Sequence, residues 1–204
     1  MTLDGRGLSD PKAMRALAHP ARLTILTRLG EGSATATEVA EGAGITPSAA
    51  SYHLRMLAKY GFVEDAPPRG DGRERVWKAT GGGPLSVGVA PDDQPEVRDA
   101  KVALIAVFRR DAEEEARRAL ANMDREPEEW RDATQFSRFR LRLDADEMAG
   151  LSRAIGELLE PYAARNRGED EAPSGSRIAE AHINLFPVAK RSVPGLPTED
   201  HDAH

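Results

Sequence analysis

Apolar residues recur at helical spacing through most of the chain, and the best-defined run lies between Thr46 and Gly61. Ala50, Leu54 and Leu57 fall at i, i+4 and i+7, one stripe of a helix. Thr46 suits the cap, Pro47 the first helical position and Gly61 the residue just past the end. The opposite face carries Ser48, Ala49, Ser51, Tyr52, Arg55 and Lys59. These side chains are small, hydroxyl-bearing or basic. They make a poor face for burial and a good one for close approach to a nucleic acid.

Upstream, Asp10-Pro11 opens a short helix with Met14, Leu17 and Ala18 inward. His19-Pro20 starts another, with Leu23, Ile25, Leu26 and Leu29, ended by Gly30. Thr35 or Thr37 opens a third, with Val39, Ala40 and Ala43 inward and Gly42-Ala43-Gly44 as its exit. Ile45 is expected to plug the core between this helix and the next. A short helix, a glycine turn and a second helix make a helix-turn-helix. After Gly61 the period changes to two. A strand is expected from Phe62 to about Ala66, a turn over Pro67–Gly72, and a second strand over Arg73–Thr80, with Val76 and Lys78 alternating with Arg75 and Trp77. Two strands joined by a basic, glycine-containing loop form a wing.

Residues 81–95 are rich in Gly, Pro and Asp and read as a linker. A long helix follows from Glu96 to about Met123, with Val97, Ala100, Leu104, Phe108, Ala112, Ala116, Leu120 and Met123 in one stripe. Over Val102–Phe108 it is apolar all round, and its length of ~40 Å exceeds what one small domain covers. Part of it is therefore expected against a partner chain. A short helix containing Trp130 comes next. Phe139, Leu141 and Leu143 then alternate with Arg138, Arg140 and Arg142, which predicts a strand with one apolar and one cationic face. Asp144-x-x-Glu147 is a capping-box pattern opening a helix with Met148, Leu151, Ile155, Leu158, Leu159 and Tyr162, which Pro161 should kink or end. Residues 168–176 read as a flexible acidic loop, 178–188 as a second strand, and 194–204 as a disordered tail.

The expected fold class is mainly α with small β elements (α+β). The expected layout is a flexible stretch 1–9, a winged helix-turn-helix 10–80, the linker 81–95, and a helix-strand-helix-strand unit 96–193 for dimerisation and possible effector binding. Two strands alone are marginal, so that unit needs a further sheet, which a dimer partner can supply.

Charge changes this picture only when it is divided. The net charge is −6. Residues 1–80 hold 11 Lys and Arg against 9 Asp and Glu, or +2; the rest hold 17 against 25, or −8. A mildly basic first part is compatible with DNA, because phosphate contacts are local. There are no cysteines, which excludes disulfides, thiolate metal sites and thiol catalysis. The first ten residues lack the apolar segment of a signal peptide, and the longest apolar run is far short of the ~20 residues that span a bilayer. A cytoplasmic protein is expected.

The segments HPARLTILTRL, TATEVAEGAGITPSAASYHLRMLAKYGFVE and RERVWKAT together resemble the winged helix-turn-helix of ArsR-type bacterial transcription regulators. The resemblance rests on His19-Pro20-x-Arg22, on Ser51-x-His53-Leu54-x-x-Leu57, on Gly61-Phe62-Val63 and on Arg73 and Arg75. It covers about residues 10–80 and implies a homodimer on a short inverted-repeat operator. Many members of that family sense metals. Here the missing cysteines rule out a thiolate site, and the long helix after residue 95 has carboxylates but no histidine, so no metal and no cofactor is expected.

The expected DNA contacts follow from docking geometry. Ser48, Ala49, Ser51 and Tyr52 lie in the first turns of the recognition helix 47–60, where base edges are read. Ala49 suits a thymine methyl, Arg55 a base or the backbone, and Lys59 a phosphate. On the wing 67–75, Arg69, Arg73 and Arg75 suit the backbone or the neighbouring minor groove. His53, beside Leu54 and Leu57, is expected to be packed and hydrogen-bonded. Arg138, Arg140 and Arg142 with His182 form a cationic strand face, and His201-x-x-His204 is a weak metal-binding pattern in the tail. No phosphate loop, HExxH or nucleophile elbow appears, so no enzyme is expected. The function expected is a sequence-specific DNA-binding transcription regulator with double-stranded DNA and itself as partners. The alternatives are a winged-helix protein-interaction module without DNA binding, and a small-molecule-binding protein using the C-terminal unit.

Overall fold

The structure is a computed structural model and describes residues 10–69, 74–81, 85–167 and 171–188. The expected flexible N-terminus, the wing tip with Arg73, the tail and His201-x-x-His204 lie outside these residues.

Three short helices build the head: α1 (Pro11–Leu17), α2 (Pro20–Glu31) and α3 (Ala36–Ala43), and α4 (Pro47–Lys59) crosses them. Each begins where the sequence places a start. The Asp10 carboxylate accepts from Lys12 N at 2.8 Å. Thr35 forms a capping box with Glu38, whose Oε2 accepts from Thr35 N at 2.6 Å. Thr46 Oγ1 accepts from Ala49 N at 3.2 Å. Such a cap is worth about 1 kcal/mol. α2 runs one residue past Gly30, and Gly32 ends it.

The apolar stripes meet in one core. Met14, Leu17, Ile25, Val39, Leu54, Leu57 and Phe62 are fully buried, and Ile45 packs against them from the turn. Each such side chain contributes about 1.5–3 kcal/mol by leaving water. A three-stranded antiparallel sheet closes the head in the order β1-β3-β2, with β1 Ala34–Thr35, β2 Val63–Asp65 and β3 Val76–Ala79. Sequence pattern did not reveal β1, because two residues cannot display a period. It places β3 in the centre, pairing Ala34 with Trp77 and Val63 with Ala79. Val76 and Trp77 are both buried although they are adjacent, because α2 packs on the strand and Arg75 lies over the indole.

The stretch before the long helix is fastened rather than loose. Leu85 and Val87 pack on the head core. Asp93 accepts from Ala90 N at 2.7 Å and pairs with Lys101 Nζ at 2.6 Å. α5 (Pro95–Asn122) then packs along α1, and its Ala100 and Leu104 join the head core. Its later half leaves the head, so that Leu120 is 57% exposed. A 3-10 turn (Met123–Arg125) and α6 (Glu128–Ala133) follow. α7 (Ala145–Leu159) opens with the expected capping box, Glu147 N to Asp144 Oδ1 at 2.8 Å and Asp144 N to Glu147 Oε2 at 2.9 Å. It passes into a 3-10 turn (Glu160–Tyr162) at Pro161.

Two expected strands are not strands in this chain. Residues 138–143 and 178–188 belong to no ladder and make no backbone–backbone hydrogen bond among the described residues. The alternation is there, but a strand is defined by a neighbour and neither segment has one here. Among the described residues the other regular elements are helices and the three-stranded sheet of the head.

Candidate nucleic-acid interface

The turn between α3 and α4 sets the angle of the recognition helix. Gly44 takes a left-handed conformation (φ 63°), and Ile45 N reaches back to Ala40 O at 3.0 Å. The chain thus leaves α3 and restarts within three residues, with Thr46 capping α4. At the other end Gly61 is again left-handed (φ 73°), and Phe62 N bonds Leu57 O at 3.0 Å. This is the Schellman type of helix exit, and it delivers the chain into β2.

Between these stops, Ala50, Leu54 and Leu57 are buried. The face pointing away from the core exposes Ser48, Tyr52, Arg55 and Lys59, with Ala49 and Ser51 half-buried. Arg55 has no carboxylate within ion-pairing distance among the described residues, whereas Arg69 and Arg75 do. The Arg69 guanidinium hydrogen-bonds the Ser33 carbonyl, lies 2.9 Å from Ser33 Oγ and 3.6 Å from Glu38, and so pins the start of the wing to α3. The Arg75 guanidinium grips the Asp65 carboxylate, with Nη2 to Oδ2 at 2.9 Å, and stacks 3.9 Å over the Trp77 ring. That hydrogen bond holds the Asp65 carboxyl below its usual range. Sequence pattern gave no sign of either pairing, since the partners lie 36 and 10 residues apart. Between α4 and the wing lies a crevice of about 270 Å³, lined by Ser51, Arg55, Arg75 and Trp77 together with Thr35 and Thr37. Thr37 at this rim was not anticipated.

Behind the recognition helix is a cationic knot. His19, the N-cap of α2, meets His53 of α4 with ring centroids 4.9 Å apart. Arg22 hydrogen-bonds the Ala16 carbonyl beneath them. His53 is packed as expected, yet its Nδ1, like His19 Nδ1 and Arg22 Nε, is buried without a hydrogen-bond partner. Burial first, and neighbouring positive charge second, lower the pKa of both histidines. Tyr52 touches the His53 ring edge-on, and Tyr60 is near Arg22. The sign follows: below about pH 6.5 the unfolded chain takes up protons that the folded pair resists, so acidification destabilises the head. Urea unfolding midpoints should therefore fall between pH 7.5 and 5.5, and His53→Gln should flatten that slope. A midpoint independent of pH over this window would contradict the arrangement.

Among the described residues no group of three His, Cys, Asp or Glu is placed to hold a metal ion, and no helix is long and apolar enough to cross a membrane.

This arrangement of capped helix, glycine turn, recognition helix and two-stranded wing defines a winged helix-turn-helix. Comparison with known families agrees: residues 17–66 match the family described as "Helix-turn-helix domain". Over 50 residues the chain is 46% identical to the HTH-type transcriptional regulator NmtR of Mycobacterium tuberculosis (strain ATCC 25618 / H37Rv), a match covering 24% of this chain and 42% of that protein. The head thus matches a helix-turn-helix domain in both comparisons, and the chain spans about two fifths of the relative's length. Two solved structures of the C30AH42A mutant of Lactococcus lactis ZitR, one of them in apo form, are similar at 16% and 14% identity with TM-scores of 0.32 and 0.31. They cover 71% of this chain and 83% and 75% of their own, at scores too low to carry further weight.

Proposed function

We propose that the chain is a sequence-specific DNA-binding transcription regulator that binds an inverted-repeat operator as a homodimer. The observation that carries this reading is the exposed face of α4, bordered by the arginine-bearing wing. A face of Ser48, Ala49, Ser51, Tyr52 and Arg55 on a helix held at both ends fits a major groove, whose width admits one helix. Lys59 suits phosphate. Arg69, Arg73 and Arg75 suit the flanking backbone or minor groove, and a guanidinium that holds a carboxylate in the free protein can exchange it for a phosphate. The homodimer is supported by the later half of α5, whose Leu120 stays uncovered, and by the apolar surface of residues 136–188. Two recognition helices then meet half-sites about one helical turn apart.

The test is a selection of fragments from the organism's own genome, followed by gel shifts on the enriched sequence. The expected result is a shift that weakens with salt and depends on sequence. Ser51→Ala and Tyr52→Ala should change which sequences are preferred, while Lys59→Ala should weaken all sequences alike. Uniform losses for all three variants would remove the assignment of base-reading to Ser51 and Tyr52. The absence of any sequence-dependent shift would remove the function.

A further inference from the structure

Residues 136–188 expose more large apolar side chains than a lone domain tolerates. Phe136, Phe139, Leu141, Leu158, Tyr162, Ile178, Ile183, Phe186 and Val188 are each more than half exposed. Monomeric proteins rarely leave a contiguous apolar patch beyond a few hundred Å² uncovered. Part of this surface alternates, although Phe136, Ile178, Phe186 and Val188 fall on the polar rows. Phe139, Leu141 and Leu143 alternate with Arg138, Arg140 and Arg142, while Ala179, Ala181, Ile183 and Leu185 alternate with Glu180, His182 and Asn184. Each segment carries a two-faced pattern, and neither makes a backbone–backbone hydrogen bond among the described residues.

We infer that a second copy of this chain supplies the missing ladders, residues 137–143 of each copy pairing with residues 178–186 of the other. This rests on the homodimer reading and names its interface. A two-fold assembly gives each copy the strand it lacks, because one chain carries both halves of the match. The faces agree. With the apolar rows on one side, Arg138, Arg140 and Arg142 share the other side with Glu180. These three arginines have no ion-pair partner among the described residues. Glu180 has only the neighbouring His182, at 2.9 Å, and lies close enough to Asp111 to help hold that carboxyl above its usual range, after burial and ahead of Glu115 and Glu114. Opposite charges across a ladder are favourable where like charges are not. Arg177, which pairs with Glu126 at 2.6 Å and lies 4.8 Å from the Trp130 ring, fixes where the second segment begins.

The layer beneath is present too. α7 carries Met148, Leu151 and Ile155 half-buried and Leu158 69% exposed, an apolar stripe without a sheet. In this arrangement the two crossed ladders also meet edge to edge at the two-fold axis, so that two strands from each copy make one four-stranded sheet, which passes the three needed for independent stability. Two α7 helices then cover its apolar face, a two-layer arrangement.

The chain has no cysteine, so an introduced one is the only thiol. Leu141→Cys chains carrying one tag and Ile183→Cys chains carrying another are mixed, allowed to exchange, and treated with a short bismaleimide. The expected product has twice the chain mass and both tags. Absence of that product, or a Leu141→Cys/Ile183→Cys double variant that closes only within one chain, overturns the inference. Hydrogen exchange on the unmodified chain gives a second reading. Amides of 137–143 and 178–186 should be protected in concentrated solution and lose protection on dilution. Protection that is absent, or that does not change with concentration, counts against it. No DNA enters either experiment. A chain that fails both and still shifts its operator leaves the DNA reading standing.

Discussion

Phe62→Ala should lower the unfolding free energy of the head by about 3–5 kcal/mol, read as a fall in the urea midpoint with little change in slope. Phe62 is 2% exposed and is among the largest fully buried side chains. Its position multiplies the effect. Its N–H bonds Leu57 O at 3.0 Å, ending the recognition helix, and its carbonyl accepts from Thr80 N at 3.0 Å, holding the base of the wing. The ring therefore sits at the junction where α4, β2 and β3 meet. Against a total stability of about 5–15 kcal/mol for an ordinary domain, the loss is a large share. Tyr52→Ala supplies the contrast. Tyr52 is 52% exposed on the same helix, so its removal should change stability by no more than about 0.5 kcal/mol. A Phe62→Ala midpoint as close to the parent as that of Tyr52→Ala would mean that the junction is not part of the cooperative core.

The head could be read from sequence because its signals are local. Thr46, Pro47 and Gly61 mark the ends of α4, and the stripe between them marks its buried face. No long-range knowledge is needed to use them. What sequence could not give is long-range by nature. Arg69 looked like a free wing cation, yet it reaches 36 residues back to Ser33. Arg75 looked the same, and it is clasped by Asp65 and laid on Trp77. Trp77 shows the same limit in the core. A period of two assigns neighbours to opposite faces, but α2 packs on β3 and Arg75 lies over the Trp77 indole. Both faces are covered, so the alternation ceases to separate inside from outside. In residues 136–188 the alternation predicts two strands, and neither segment pairs with another strand among the described residues. Hydrophobic period fixes orientation; ladder partners are set by topology and, on the inference above, by a second chain.

Arg55→Glu should abolish high-affinity operator binding, reducing it by at least about a hundredfold, while leaving the fold intact. A good bidentate arginine contact to a base is worth about 1–3 kcal/mol, and a two-fold complex makes it twice. The substitution also places an anion between recognition helix and phosphates, which adds repulsion to the lost attraction. Arg55 is exposed and has no ion-pair partner among the described residues, so no internal contact is lost and the thermal midpoint should stay close to the parent's. The crevice it shares with Ser51, Thr35, Thr37 and Arg75 sets the second half of the prediction. Arg75→Ala should weaken binding across all sequences and lower the salt dependence by about one ion, as for a phosphate contact. It also frees Asp65 from its only observed cation, so it should cost a little stability that Arg55→Glu does not. Equilibrium titration of the operator at two salt concentrations separates the cases. If Arg55→Glu binds within twofold of the parent, the exposed face of α4 is not where this protein reads DNA, and the wing arginines alone would have to carry the affinity. A loss confined to Arg75→Ala, with the salt slope changed and sequence preference kept, would identify that outcome.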